Sequence, residues 1–184
     1  MQQLPRDNPA VKGCIKAKPG YKIVQADLST AEMYVAAVVS DDKNLQNVFK
    51  SGGDLHSTIA KMVFNLPHDV ADIKNEAPTQ RQAAKAVTFG ILFGSGPAKI
   101  AETVSKESGK PFSIQQAKDT IKKYFTTFSQ LRDWLQMTKQ DIEANGYIYS
   151  IFGRKRRLSN VFSNDKGIAA HEVRSGINFT IQSV

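Results

Sequence analysis

Arg81, Lys85, Phe89 and Phe93 stand four residues apart within RQAAKAVTFGILFGSG, residues 81–96. At about 100° per residue, each step of four drifts only about 40°, so a helix would carry all four on one face over roughly 18 Å. A core stripe would not begin with Arg and Lys, and a solvated face would not carry two phenylalanines. The composition suits a ligand with a polyanionic end and a ring-bearing end: phosphates against the cations, a sugar and base against the rings. The helix N-terminus adds partial positive charge for the phosphates. An ordinary amphipathic helix with snorkelling cations is the plainer alternative. Ala83, Ala84 and Ala86 permit close approach. Gly90, in mid-helix at a cost of about 1 kcal/mol relative to Ala, implies a neighbour packed against it.

Other residue types in this chain also carry chemistry. Asp27 closes an alternating segment, YKIVQAD. A carboxylate at a strand end can hold Mg²⁺ over a sheet edge, and phosphoryl transfer uses two such ions; it can equally cap the helix that follows. Ser29 and Glu32 have the spacing of a capping box. His56 follows Asp54 at a helix start, where an imidazole can donate to phosphate or simply lie on the surface. Arg174, Asn178 and Gln182 form a polar stripe of the same four-residue spacing, on its own a solvated helix face. The run RKRR at 154–157 contacts phosphates or is solvated.

The elements that must position these residues can be read in outline. Residues 1–20 hold four basic residues and three prolines with no periodicity and read as an extended lead-in. Residues 21–27 read as a strand and 29–40 as a helix. From 41 to 145 the pattern is mostly helical: a helix from Asp54, one over 80–93, one over 97–108, and one opened by Ser113 and Gln116. In that last helix Ile114, Ala117, Ile121, Tyr124 and Phe125 share a face. Leu131, Leu135, Thr138 and Ile142 mark another, closed by Gly146. Residues 147–152 alternate again before Gly153, as one arm of a hairpin, and 165–184 form a last helix. The order is strand, helical block, hairpin, helix. It is an α+β layout in which a helical block is inserted into a sheet-based unit.

A net charge of +8 over 184 residues suits a polyanionic partner without requiring one. Cys14 is the single cysteine, which excludes an internal disulfide and a Cys-based metal cluster. No apolar run approaches the roughly 20 residues of a membrane span, so no membrane partner and a cytoplasmic setting are expected.

RQAAKAVTFGILFG resembles the fingers motif, motif B, of family A (polymerase I-like) DNA polymerases. The resemblance extends along all 184 residues: QLPR at 3–6, DLSTAE at 27–32 (motif A), GGDLH at 52–56, GRKRRL at 153–158 and NFTIQ at 178–182 follow in order. It implies a partial palm sheet with a mostly helical fingers subdomain inserted: palm over 1–40, fingers over 41–145, and a return to palm over 146–184 before motif C. The implied activity is template-directed DNA synthesis during replication or repair, with dNTP and primer–template DNA as partners, two Mg²⁺ as cofactors and a monomeric state. Asp27 and the backbone carbonyl of Leu28 would be metal ligands, with the second carboxylate absent from this chain. Leu28, Ser29, Glu32, His56, Arg81, Lys85 and Phe89 would bind the dNTP, and Lys85 would also act in catalysis. Glu32 would be the steric gate that excludes a 2′-hydroxyl, which separates this chain from single-subunit RNA polymerases. Phe93, Gly94, Arg154, Arg174, Asn178 and Gln182 would contact DNA. Phe93 stands where Tyr is usual, Leu28 where Tyr or Ala is, and Tyr34 where Arg is frequent; Thr30-Ala31 is unusual after the serine. The expectation is of a fragment from a bacterial cell or a virus-infected host, inactive alone. A non-catalytic, basic nucleic-acid-binding domain is the rival, but it has no use for Asp27, Glu32 and the stripe together.

Overall fold

The computed structural model describes residues 10, 13–24, 26, 30–52, 54–92 and 94–183. Two compact units emerge, Met1–Thr30 and Ala31–Val184. In the first, residues 10 and 13 are helical where an extended lead-in is expected; Cys14 Sγ lies 3.3 Å from the Ala10 carbonyl, one helical turn back. The strand expected over 21–27 does not form among its described residues, 21–24 and 26. A strand is held by a ladder, and the only described sheet is a two-stranded one elsewhere in the chain. Ile23 and Val24 are accordingly 59% and 88% exposed.

The second unit is a helical block followed by a hairpin and a last helix. Helix α1 (Ala31–Val39) buries Met33, Ala36 and Ala37. Asp42 caps α2 (Lys43–Lys50), accepting from the Leu45 N–H at 3.0 Å. Its other oxygen accepts from the Leu131 N–H at 3.0 Å, so one fully buried carboxylate caps two helices. Helix α3 (Leu55–Phe64) starts at Asp54 and stops at Asn65 in the left-handed region. A short α4 (Ile73–Glu76) leads into α5 (Pro78–Leu92), which begins on a proline whose missing N–H costs nothing there. Helix α6 (Pro97–Ser108) also begins on proline. Gly90 proves to be the site of close packing that the sequence implies: a Cβ there would lie 2.9 Å from Ile100 Cγ1 of α6.

Helix α7 (Ile114–Thr127) is opened by the full Ser113–Gln116 capping box. Ala117 and Tyr124 are buried and Ile121 and Phe125 pack on the core, whereas Ile114, at the first turn, is exposed. Helix α8 (Ser129–Asn145) ends at Gly146 in the left-handed conformation. Strands β1 (Tyr147–Tyr149) and β2 (Lys155–Arg157) pair antiparallel with Tyr147 opposite Arg157. A 3₁₀ turn (Ser159–Phe162) then leads to α9 (Lys166–Gln182), capped by Asp165. The large core runs from Met33 through α2–α7 to Leu131. A small separate cluster of Ile142, Leu158 and Val173 holds the hairpin end and α9 to α8. The architecture is α+β, dominated by helix.

Candidate nucleotide-binding face

Helix α5 buries Ala83, Ala84, Val87, Thr88 and Leu92 and leaves Arg81, Lys85 and Phe89 half-buried along one side. The small residues let α3, α6 and α7 approach α5, which fixes this face against three neighbours. Phe93 lies outside the described residues.

Arg81 is held from α3. Its Nε donates to Asp54 Oδ2 at 3.0 Å and its Nη2 to Asp54 Oδ1 at 3.1 Å, a two-pronged fork. Nε also donates to Ser57 Oγ at 3.1 Å. Asp54 is already the N-cap of α3, accepting from the Ser57 N–H at 2.9 Å. Partial burial acts to raise the Asp54 carboxyl, but the Ser57 hydrogen bonds and the Arg81 cation outweigh it and hold the group below its ordinary 3.8.

His56, the second residue of α3, brings an imidazole to the same face. Its ring lies 5.5 Å from that of Phe89, centroid to centroid. Nδ1 is buried without a hydrogen-bond partner among the described residues. Burial pulls the imidazole below its ordinary 6.5; the Asp54 carboxylate opposes this, and the Arg81 and Lys85 cations add to it. The ring is therefore neutral at neutral pH.

Lys85 points toward α6. Its Nζ lies 3.9 Å from Glu107 Oε2, and that same oxygen accepts from Gln82 Nε2 at 2.6 Å. An open pocket between α5 and α6 is lined by Lys85, Phe89, Lys99, Ile100, Thr103 and Glu107, among others.

Gly94 follows α5 at φ 68°, a left-handed conformation that favours glycine. A Cβ there would lie 2.1 Å from Arg174 Cδ, so the end of α5 seats on the aliphatic part of an α9 side chain. Arg174, Asn178 and Gln182 share a side of α9, and none of their side chains has a hydrogen bond or ion pair among the described residues. The hairpin carries the basic run. Arg154 is exposed, Lys155 Nζ sits 3.7 Å over the Tyr147 ring, and Arg156 donates to Ser175 Oγ at 2.6 Å.

Glu32 lies half-buried in the first turn of α1 and makes no hydrogen bond or ion pair among the described residues. Asp27, Leu28 and Ser29 lie outside the described residues, and with them the expected capping box and metal ligands. Among the described residues no three His, Cys, Asp or Glu side chains converge where a metal could sit. Asp54 and Glu107, the carboxylates nearest the stripe, are engaged with Arg81 and with Gln82 and Lys85.

The structure thus gathers Arg81, Lys85, Phe89 and His56 at one place, with Arg174 tied to it through Gly94. Asp54, Gln82 and Glu107 also belong to this face, and the four-residue spacing of the stripe does not reveal them. Asp54 had a visible signal, since an acid at an N-cap two residues before His56 must lie near it. Glu107 had none, because its approach depends on how α5 and α6 cross.

A helix face that runs from cations to a ring, with an imidazole brought in from a second helix, has the chemistry of a phosphate-and-base binder. The model of DNA polymerase family A matches residues 1–184, and the chain belongs to that family. It is 48% identical over 200 residues to the DNA polymerase of Escherichia phage T5, covering 100% of this chain and 23% of that protein. It is 30% identical over 185 residues to the thermostable DNA polymerase I of Thermus aquaticus, covering 99% of this chain and 21% of the relative. The chain therefore spans 21–23% of the length of these curated relatives. Among solved structures it is similar to the POL domain of Pol1 from M. smegmatis in complex with DNA primer-template and dNTP. That match has a TM-score of 0.68 at 29% identity, covering 85% of this chain and 26% of the other. No described helix is long and apolar enough to cross a membrane.

Proposed function

We propose that this chain forms the dNTP-holding fingers and part of the palm of a DNA-directed DNA polymerase, with 1–40 and 146–184 in the palm and 41–145 as fingers. The reaction is attack of a primer 3′-oxygen on the α-phosphorus of a dNTP, with cleavage of the bond to the bridging oxygen and release of pyrophosphate. The observation that carries the reading is the convergence of His56 from α3 with Arg81, Lys85 and Phe89 of α5, next to a pocket. Family membership supports it independently.

Arg81, Lys85 and His56 bind the triphosphate, and Lys85 gives a proton to the leaving pyrophosphate. Phe89 lies against the sugar and base, and Phe93 and Gly94 meet the template side. Glu32 fills the space of a 2′-hydroxyl, and Leu28 and Ser29 complete the dNTP-binding set. Arg174, Asn178 and Gln182 donate to minor-groove acceptors common to all base pairs, which tests pairing geometry without reading sequence. Arg154 meets backbone phosphate. Family A polymerases are metal-dependent; we assign Mg²⁺ as the metal, with Asp27 and the Leu28 carbonyl as this chain's ligands. Such ions supply charge stabilisation to phosphoryl transfer. The primer–template and dNTP named for the M. smegmatis Pol1 structure are the partners we assign here, and a monomer in the cytoplasm is the working form.

Affinity labelling tests the reading. An aldehyde-bearing dNTP analogue, trapped by reduction and mapped by peptide mass, should mark Lys85 and be displaced by unmodified dNTP. Equal labelling of Lys85 and Lys99, or none that dNTP displaces, would leave a basic duplex-binding domain as the better account.

A further inference from the structure

Both cations of the α5 face lie beside carboxylates, but the two pairings are built differently. Arg81 is gripped by the Asp54 fork, and Asp54 is itself pinned as an N-cap. Lys85 is only attended: at 3.9 Å from Glu107 Oε2 its ammonium is beyond hydrogen-bond reach. Glu107 does not depend on Lys85 for its place. Its Oε2 is anchored at 2.6 Å by Gln82 Nε2, three residues before Lys85 on α5. The other cation lining this pocket, Lys99, is held by Glu102 at 3.0 Å and so does not neutralise Glu107. A fixed negative charge therefore sits beside a lysine whose own donors have no hydrogen-bonded partner among the described residues.

We infer that Glu107 is a positioning residue that competes with the triphosphate for Lys85, holding the ammonium on the α6 side until a stronger anion draws it away. The inference rests on the reading of Lys85 as a triphosphate ligand. A triphosphate outbids a single carboxylate because it carries several charges and more acceptor oxygens. Glu107 then sets how much affinity reaches the ligand, and it favours full triphosphates over less charged phosphates. With side chains 39% and 40% exposed, the pair attracts weakly, so the effect tunes affinity without blocking it. An exposed pair of this kind corresponds to about a two- to five-fold change in an equilibrium constant.

The test is calorimetric titration of the 184-residue chain with inorganic triphosphate and with dATP at low salt. Glu107→Gln is nearly isosteric, keeps an oxygen to accept from Gln82, and removes the charge. It should tighten both ligands about two- to five-fold, with the gain fading as salt rises. The uncharged nucleoside should bind no better. In a Lys85→Ala background the Glu107→Gln gain should vanish. If Lys85→Ala weakens binding but Glu107→Gln leaves it unchanged, or if the gain persists without Lys85, the competition is overturned while the triphosphate reading stands. If Lys85→Ala leaves affinity unchanged, or the parent chain binds neither ligand, both fall.

Discussion

Asp54 does two jobs at once, and replacing it with Ala and with Asn should separate them. As N-cap of α3 it accepts from the Ser57 N–H at 2.9 Å, and losing such a cap costs about 1 kcal/mol. As the partner of Arg81 it forms a fork at 3.0 and 3.1 Å. The side chains of that pair are 21% and 47% exposed, so solvent screening limits the fork to about 1 kcal/mol. Asp54→Ala should therefore destabilise the chain by about 2 kcal/mol, which for a protein of this size lowers Tm by roughly 4–8 °C. Asp54→Asn keeps a capping oxygen and loses only the charge, so about 1 kcal/mol should go. Urea unfolding of the three chains, read by circular dichroism, measures both differences at constant m value. A loss below about 0.5 kcal/mol for Asp54→Ala would mean that neither bond matters to the fold. Equal losses for Ala and Asn would refute the cap and leave only the charge.

The depressed His56 pKa gives a pH dependence with a definite sign. The folded state takes up the proton less readily than the unfolded one, so stability is whole above the unfolded value near 6.5 and is lost as pH falls through it toward the lower folded value. His56→Gln should remove that limb from the stability–pH curve and leave the one below 3.8 that Asp54 contributes. In a full-length polymerase carrying this segment, Phe89→Tyr should make dideoxynucleotides much better substrates, because the new hydroxyl can replace the missing 3′-OH. A terminator assay with unchanged sensitivity would put the ring away from the sugar. Glu32→Ala in the same polymerase should raise ribonucleotide incorporation relative to dNTP. An unchanged ratio would leave Glu32 without a gating role.

What could be read in advance was whatever depends on local chemistry. The α7 cap was legible from Ser113 and Gln116, because that signal acts within one turn. Among its described residues, the strand expected at 21–27 does not form, for the opposite reason. Tyr21 and Ile23 alternating about Lys22, with β-branched Ile23 and Val24 in the middle, record a surface suited to a sheet, but pairing needs a second strand that local sequence cannot supply. The site divides in the same way. Arg81, Lys85 and Phe89 share a face by periodicity alone, so the stripe is legible in the sequence itself. The carboxylates that answer it come from α3 and α6, 27 and 22–25 residues away in sequence, and reach it only through helix packing. That packing was partly encoded at Gly90, where the absent Cβ admits Ile100 and draws α6 against α5. With α6 this close, its last turn brings Glu107 beside Lys85. The glycine that looks like a propensity defect in a helix is thus what sets a negative charge next to the cation proposed to hold the triphosphate.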